Sequence, residues 1–225
     1  MKHLVATLLV LAALALAGGA SAARIGNVGP GTIDDKFTGK SFDTNVWAWW
    51  GSNQPGQVSF TQGGGAMTVT VAAGAQPDFN LSGQTRCAAS GDFDARVDFD
   101  LNTWPSQNGV WVSLMAAGTP YNTYRVSWQF DPSEQYGAYL PPVGNNLPAT
   151  GTSGSLRLRR WGDIFTSYYL SGRRWVPLVS GIGPTGDLPF SLGVFNISNA
   201  ATLSGQPVSV AWDNFRVTAD RIVCP

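Results

Sequence analysis

The stretch Phe93-Asp94-Ala95-Arg96-Val97-Asp98-Phe99-Asp100-Leu101 alternates apolar and charged residues without a break. Successive side chains of an extended chain point to opposite sides, so five apolar groups share one face while three aspartates and Arg96 share the other. A helix would scatter both sets around its axis. The stretch therefore predicts a β-strand with one face in a core and the other in water, the signature of an antiparallel sheet.

The same period recurs on both sides of it. Val58 to Gln62 and Ala66 to Val71 flank Gly63-Gly64-Gly65, a sequence suited to a hairpin turn. Further alternating runs are Val110 to Met115, Tyr124 to Phe130, Ser155 to Arg160, Phe165 to Leu170, Leu188 to Phe195 and Val208 to Val217. In Tyr124 to Phe130, Tyr124, Val126, Trp128 and Phe130 read as the core side and Arg125, Ser127 and Gln129 as the wet side. Ser171-Gly172 reads as a turn into Trp175-Val176. Pro141 to Gly151 has no usable periodicity and reads as a long loop. No segment sustains a 3.6-residue apolar stripe. About twelve strands, each with one apolar face, can bury those faces only by stacking two sheets. The expected fold is an all-β, two-sheet antiparallel sandwich of jelly-roll type.

The amino terminus reads as a signal peptide over residues 1–22. Lys2 precedes an apolar run from Leu4 to Ala17, and Ala20-Ser21-Ala22 offers a cleavage site. The run is short for a membrane span. Residues 23–225 then form one domain, secreted or periplasmic, with no membrane span. Of 14 basic residues Lys2 leaves with the leader, so 13 remain against 14 acidic ones. That balance disfavours a nucleic-acid partner. In an oxidising compartment Cys87 and Cys224, the two cysteines, are expected to join, closing a loop of 224 − 87 = 137 residues. Two free buried thiols are the alternative.

The one histidine, His3, also leaves with the leader. The mature chain so excludes Ser-His-Asp and Cys-His nucleophiles, His general bases and His-ligated zinc. Glu134 is the single glutamate. Catalysis would have to come from Asp, Tyr, Arg, Lys or that residue.

Three segments carry a family resemblance: DDKFTGKSFDTNVWAWW at 34–50, RLRRWGDIFTSYYLSGRRWVPL at 157–178 and VSVAWDNFRV at 208–217. Their order, from Asp35-x-Phe37 through Gly172-x-x-Trp175 to Asp213-Asn214-Phe215, resembles the concanavalin A-like lectin and glucanase superfamily, close to its laminin-G-like bacterial members. The resemblance implies a jelly roll whose first and last strands are neighbours. It also implies a structural calcium between an Asp near the start and one on the final strand, places matched by Asp35 and Asp213. Function does not follow from the fold, because the superfamily includes enzymes, lectins and adhesion modules.

Laminarinase-type members carry E-x-D-x-E, and this chain lacks it. Its nearest substitute is Asp94-x-Arg96-x-Asp98-x-Asp100, equally expected of a solvated strand face. A lyase could draw on Tyr124, Arg125, Gln129, Tyr136 and Tyr139, but lyase strings are also missing. Sugar binding needs an aromatic platform beside polar groups. By parity Asp98, Asp100, Arg125, Gln129, Arg157 and Arg159 lie opposite the core, and Trp111 joins them with Ser113 and Met115 while Val110, Val112 and Leu114 face in. The clustered arginines suit an acidic glycan. Trp128, Trp175 and Trp212 fall on core-facing or hairpin-packing positions. The expectation is an exported, non-catalytic, lectin-like carbohydrate-binding module whose partner is a polysaccharide or glycan. A glycosidase or polysaccharide lyase, or a structural or adhesion module, are the alternatives.

Overall fold

The computed structural model describes residues 31–225 apart from 77, 129–131 and 197–204. The signal peptide expected at 1–22 and the candidate Gln129 lie outside the described residues. In chain order the strands are β1 (Gly31–Asp35), β2 (Trp47–Ser52), β3 (Val58–Gly63), β4 (Ala66–Val71) and β5 (Asn80–Thr85). Next come β6 (Ala88–Thr103), β7 (Trp111–Ala116), β8 (Asn122–Ser127), β9 (Glu134–Leu140) and β10 (Val143–Pro148). The last five are β11 (Ser153–Trp161), β12 (Ile164–Ser171), β13 (Arg174–Ile182), β14 (Phe190–Phe195) and β15 (Val208–Val223).

They form two antiparallel sheets. One has eight strands in the order β13-β12-β11-β6-β15-β4-β3, with β1 also on β15. The other has seven in the order β10-β9-β8-β7-β14-β5-β2. The first and last strands are therefore neighbours, as the resemblance implied. β15 pairs with β4 through Trp212 and with β1 from Phe215 onward. A register shift between Asp213 and Arg216 separates the two halves, and Asn214 takes a left-handed φ of 51° there.

Phe93, Ala95, Val97, Phe99 and Leu101 of β6 are all buried, as their alternation requires. They meet Val112 and Leu114 of β7 and Phe190, Leu192 and Val194 of β14 in one core between the sheets. Phe93 packs edge-on to Phe165 of its own sheet at 5.6 Å and to Phe190 across the core at 5.0 Å. Burying each such side chain contributes roughly 1.5–3 kcal/mol. The β3–β4 hairpin closes with Gly63 opposite Ala66. Gly64 and Gly65 between them have φ of 64° and 88°, the left-handed pair that a two-residue turn demands.

Cys87 and Cys224 form a disulfide. They follow directly on the last rung of the β6–β15 ladder, Ala88 opposite Val223, so sheet pairing already brings the two backbones together.

Two expectations are corrected. Pro141 to Gly151 is not one loop: Pro141-Pro142 makes a tight turn, and Val143–Pro148 is β10, paired with β9. β10 is a sheet edge whose residues are mostly exposed on both sides, so it has no apolar face to alternate. The second correction concerns β8. Arg125, not Tyr124, points into the sandwich, where it is 2% exposed. It pairs with Glu134, donates to the Val126 carbonyl and lies 5.7 Å from the Tyr136 ring centre. Trp104 Nε1 donates to the same Glu134 carboxylate at 2.9 Å. Ser127, on the same side, is also buried.

Candidate functional site

Turning β8 over places Tyr124, Val126 and Trp128 on the outer face of the seven-stranded sheet, beside Trp111 of β7. There Trp111 becomes the centre of an aromatic group. Its ring lies 4.2 Å from that of Tyr124, 5.1 Å edge-on from Trp128 and 5.8 Å from Phe195 of β14, which is stacked on it. The sequence-based placement of Trp111 on an outer face with Ser113 and Met115 holds, since Val110, Val112 and Leu114 are in the core.

Register builds a cleft from these strands. Gly193, Ser113, Tyr124, Gly137 and Asn146 lie in one row across β14, β7, β8, β9 and β10. Two of the five are glycines, and Tyr124 leans over one of them: a Cβ on Gly137 would collide with its ring and with Asn146. The next row carries Met115, Asn122, Tyr139 and Gly144. Together these elements line a cavity of about 490 Å³ with Trp111, Tyr124, Phe195 and Tyr139 as its rings and Asn122, Asn145 and Asn146 as its amides. Gly137→Ala should overpack this floor at a cost of about 1–3 kcal/mol. A thermal scan giving the wild-type Tm would contradict that packing.

Burial pushes the Tyr124 hydroxyl up to about 12, with the Asn146 bond pulling the other way. It is thus protonated at neutral pH and donates to Asn146 Oδ1 at 2.7 Å. With its one proton committed to Asn146, the phenol oxygen is left to accept from a ligand hydroxyl, and it is a poor general base. Asn122 Oδ1 accepts from the Tyr139 N–H, and Asn145 Nδ2 donates to the Leu178 carbonyl. Asn122 Nδ2 is engaged too, donating to the Pro120 carbonyl at 3.2 Å. No Asp or Glu is among the described residues that line it.

The other candidates do not join Trp111. Asp98, Asp100, Arg157 and Arg159 share the outer face of the eight-stranded sheet, on the far side of the sandwich. Asp98 accepts from Ser155 Oγ at 2.6 Å and from Asn214 Nδ2 at 3.0 Å, while Asp100 is exposed. Arg157 pairs with Asp94 and sits 5.2 Å from the Tyr168 ring centre and 5.3 Å from that of Trp175. The hydrogen bond to Asp94 raises its guanidinium pKa. Arg159 lies over Trp161 at 5.2 Å. Arg125 is interior, as described above. The lyase set is divided likewise, with Tyr124 and Tyr139 outside and Arg125 and Tyr136 inside. Of the tryptophans expected in packed positions, Trp212 is in the core, whereas Trp128 packs edge-on to Trp111.

Asp35 and Asp213 point to opposite sides of the eight-stranded sheet. Asp35 points inward, its two oxygens accepting from the Phe37 N–H at 2.6 Å and from Trp47 Nε1 at 2.8 Å. Asp213 follows the buried Trp212, faces the opposite side beside Asp98, and binds the backbone and amide of Asn214. Calcium needs six to eight oxygens. Among the described residues no group of three or more His, Cys, Asp or Glu could hold a metal.

What sequence reading missed was Phe195, Asn122 and Asn146, and that Tyr124 and Tyr139 of the lyase set stand with Trp111. The signal that could have found them is glycine inside strands, at 137 and 193, where backbone accepts close approach.

No family model and no curated protein matches the chain. Solved structures do. A β-glucanase of Bacillus licheniformis superposes with a TM-score of 0.57 at 14% identity, covering 85% of this chain and 99% of its own. An endo-acting O-glycanase of the human gut microbiota, acting in mucin breakdown, gives 0.56 at 12%, covering 85% and 98%. A prokaryotic β-1,3-1,4-glucanase (lichenase) from a mouse hindgut metagenome gives 0.53 at 13%, covering 84% and 99%. The fold of this chain is the concanavalin A-like jelly roll.

Proposed function

We propose that this chain is an exported protein that recognises a polysaccharide in the cleft on its seven-stranded sheet, with a sugar ring stacked on Trp111. The observation that carries this reading is the aromatic wall of Trp111, Tyr124 and Phe195 in a cleft that Asn122, Asn145 and Asn146 also line. A pyranose offers an apolar face to rings and a rim of hydroxyls to amides, so the two halves of the cleft match the two halves of a sugar. The names of the structural neighbours, which are glucanases and an O-glycanase, support a glycan as the ligand class.

Titration with β-1,3-1,4-glucan oligosaccharides and with mucin O-glycans tests it, followed by tryptophan fluorescence. Trp111→Ala should lose about 2 kcal/mol of binding, roughly 30-fold in affinity, with its circular dichroism unchanged. Equal binding by wild type and variant would remove Trp111 from the site.

The same neighbours favour a second reading, cleavage, more strongly than binding alone, because each is named for an activity that cleaves glycans. Ordinary glycoside hydrolysis needs two carboxyls flanking the bond. Against it, the described cleft lining offers none, and Glu134 is drawn inside by Arg125 and Trp104. Under the binding reading, purified protein releases no reducing ends from either glycan. Their release would replace binding by cleavage.

A further inference from the structure

The outer face of the eight-stranded sheet holds a second groove, of about 550 Å³, on the far side of the sandwich from the glycan cleft. Register sets three arginines side by side on this face, Arg216 of β15, Arg96 of β6 and Arg157 of β11, of which the first two line the groove. Like charges directly opposite one another destabilise a sheet unless something neutralises them. Arg157 is neutralised by Asp94. Arg96 and Arg216 are not: the ion pairs among the described residues are Arg125–Glu134 and Arg157–Asp94. Arg216 stands opposite Asp34 in register without pairing with it.

The other groups of the groove are already engaged in the fold. Asp92 accepts from the Gly162 N–H at 2.6 Å and Asp220 from the Asp92 N–H at 2.8 Å. Arg160 turns inward, donating to the carbonyls of Gly91, Pro184 and Gly186. That leaves Arg96, Arg216 and Arg159 facing solvent beside Trp161, which is 66% exposed and has Arg159 over its ring. Three guanidiniums outside those ion pairs and an exposed indole surround a space large enough for a sugar residue or two.

We infer that this groove binds a carboxylated polysaccharide, a uronate carboxylate lying between Arg96 and Arg216 and its ring against Trp161. Charge complementarity supplies the attraction, and the guanidinium fork suits a planar carboxylate. The engaged aspartates argue for the spacing of that charge. Asp92, Asp94 and Asp220 would repel a dense phosphate ladder or an anionic bilayer. A uronan places one carboxylate per sugar, and its intervening hydroxyls can donate to the free lone pairs of those aspartates.

Polygalacturonate is the probe, with dextran as the neutral control and phosphatidylserine vesicles as the competing anionic surface. The full-length mature protein should bind polygalacturonate, with affinity falling as salt rises, and should not bind dextran. Arg96→Gln/Arg216→Gln should weaken binding by at least about tenfold, the equivalent of one lost charge-assisted contact. Its Tm should equal or exceed that of wild type, because two like charges leave adjacent strands; weak binding is then not unfolding. Trp161→Ala should weaken binding too, whereas Trp111→Ala should leave it unchanged, so that this groove and the glycan cleft fail or succeed separately. Absence of wild-type binding, retention by the double-arginine variant, or tighter binding to the vesicles would each overturn the assignment.

Discussion

Removing the Cys87–Cys224 bridge by a double change to alanine is expected to lower the free energy of unfolding by about 4–5 kcal/mol, the largest effect of any local alteration in this chain. The bridge spans 137 residues of sequence. In the chain-entropy model such a loop withholds that much conformational freedom from the unfolded state. The native state should change little, because the β6–β15 ladder holds Ala88 opposite Val223 with or without the sulfurs. This gives the test a second readout. In urea the double variant should show a lower midpoint and a larger m-value, since its unfolded chain expands and exposes more surface. A lowered midpoint with the same m-value would locate the effect in native contacts instead. An unchanged midpoint would mean that the bridge contributes nothing.

Arg125→Met is expected to cost about 3–5 kcal/mol, the ordinary penalty for leaving one partner of an interior ion pair behind. At roughly 2–4 °C per kcal/mol for a chain of this size, Tm should fall by about 6–20 °C. Glu134 is 24% exposed, against 2% for Arg125, so water can still reach the carboxylate that remains, and the loss belongs nearer the lower end. Trp104 Nε1 also continues to donate to it. Adding Glu134→Leu should recover much of the stability, because the pair repays little more than its own desolvation. A double variant as unstable as the single one would mean that Arg125 acts through packing on Tyr136 and Trp104 rather than through charge. The two rings stand 5.7 and 5.9 Å from its guanidinium carbon, so that outcome has a structural basis.

These two cases differ in how far sequence could anticipate them. The disulfide could be expected from a count of two cysteines together with the leader read at residues 1–22. The ion pair needed the knowledge that β8 is covered on both sides. From Thr123 to Ser127 every residue is buried, so alternation of Tyr, Val and Trp with Arg and Ser carries no information about which set faces in. Hydrophobicity favoured Tyr124 for the interior. The structure chose Arg125, because Glu134 and the Trp104 and Tyr136 rings surround that position. Tyr124 could go outside because Trp111, Gly137 and Asn146 cover it there.

The candidate site divides along the same line. Trp111 could be assigned to an outer face because Val112 and Leu114 flank Ser113 in a strand with one strongly apolar side. Asp98, Asp100, Arg157 and Arg159 were correctly placed opposite the core, yet they belong to a different sheet from Trp111, so one imagined wet face became two. The asparagines of the cleft come from β8 and from the edge strand β10, which has no alternation to read.

Phe93 to Leu101 by itself determined that this protein has half-buried antiparallel strands, and the recurrence of its period determined a two-sheet sandwich. The reason is local: the backbone alone sends neighbouring side chains to opposite sides. Which sheet each strand joins, and what covers its second face, only the tertiary structure decided. Those depend on pairings between residues tens of positions apart, such as Asp98 with Ser155 and Asp213, and on whether a polar side chain meets a partner inside. The alternating stretch thus specified a core and a wet face. The fold put the arginine groove on that face and the aromatic cleft on the outer face of the second sheet.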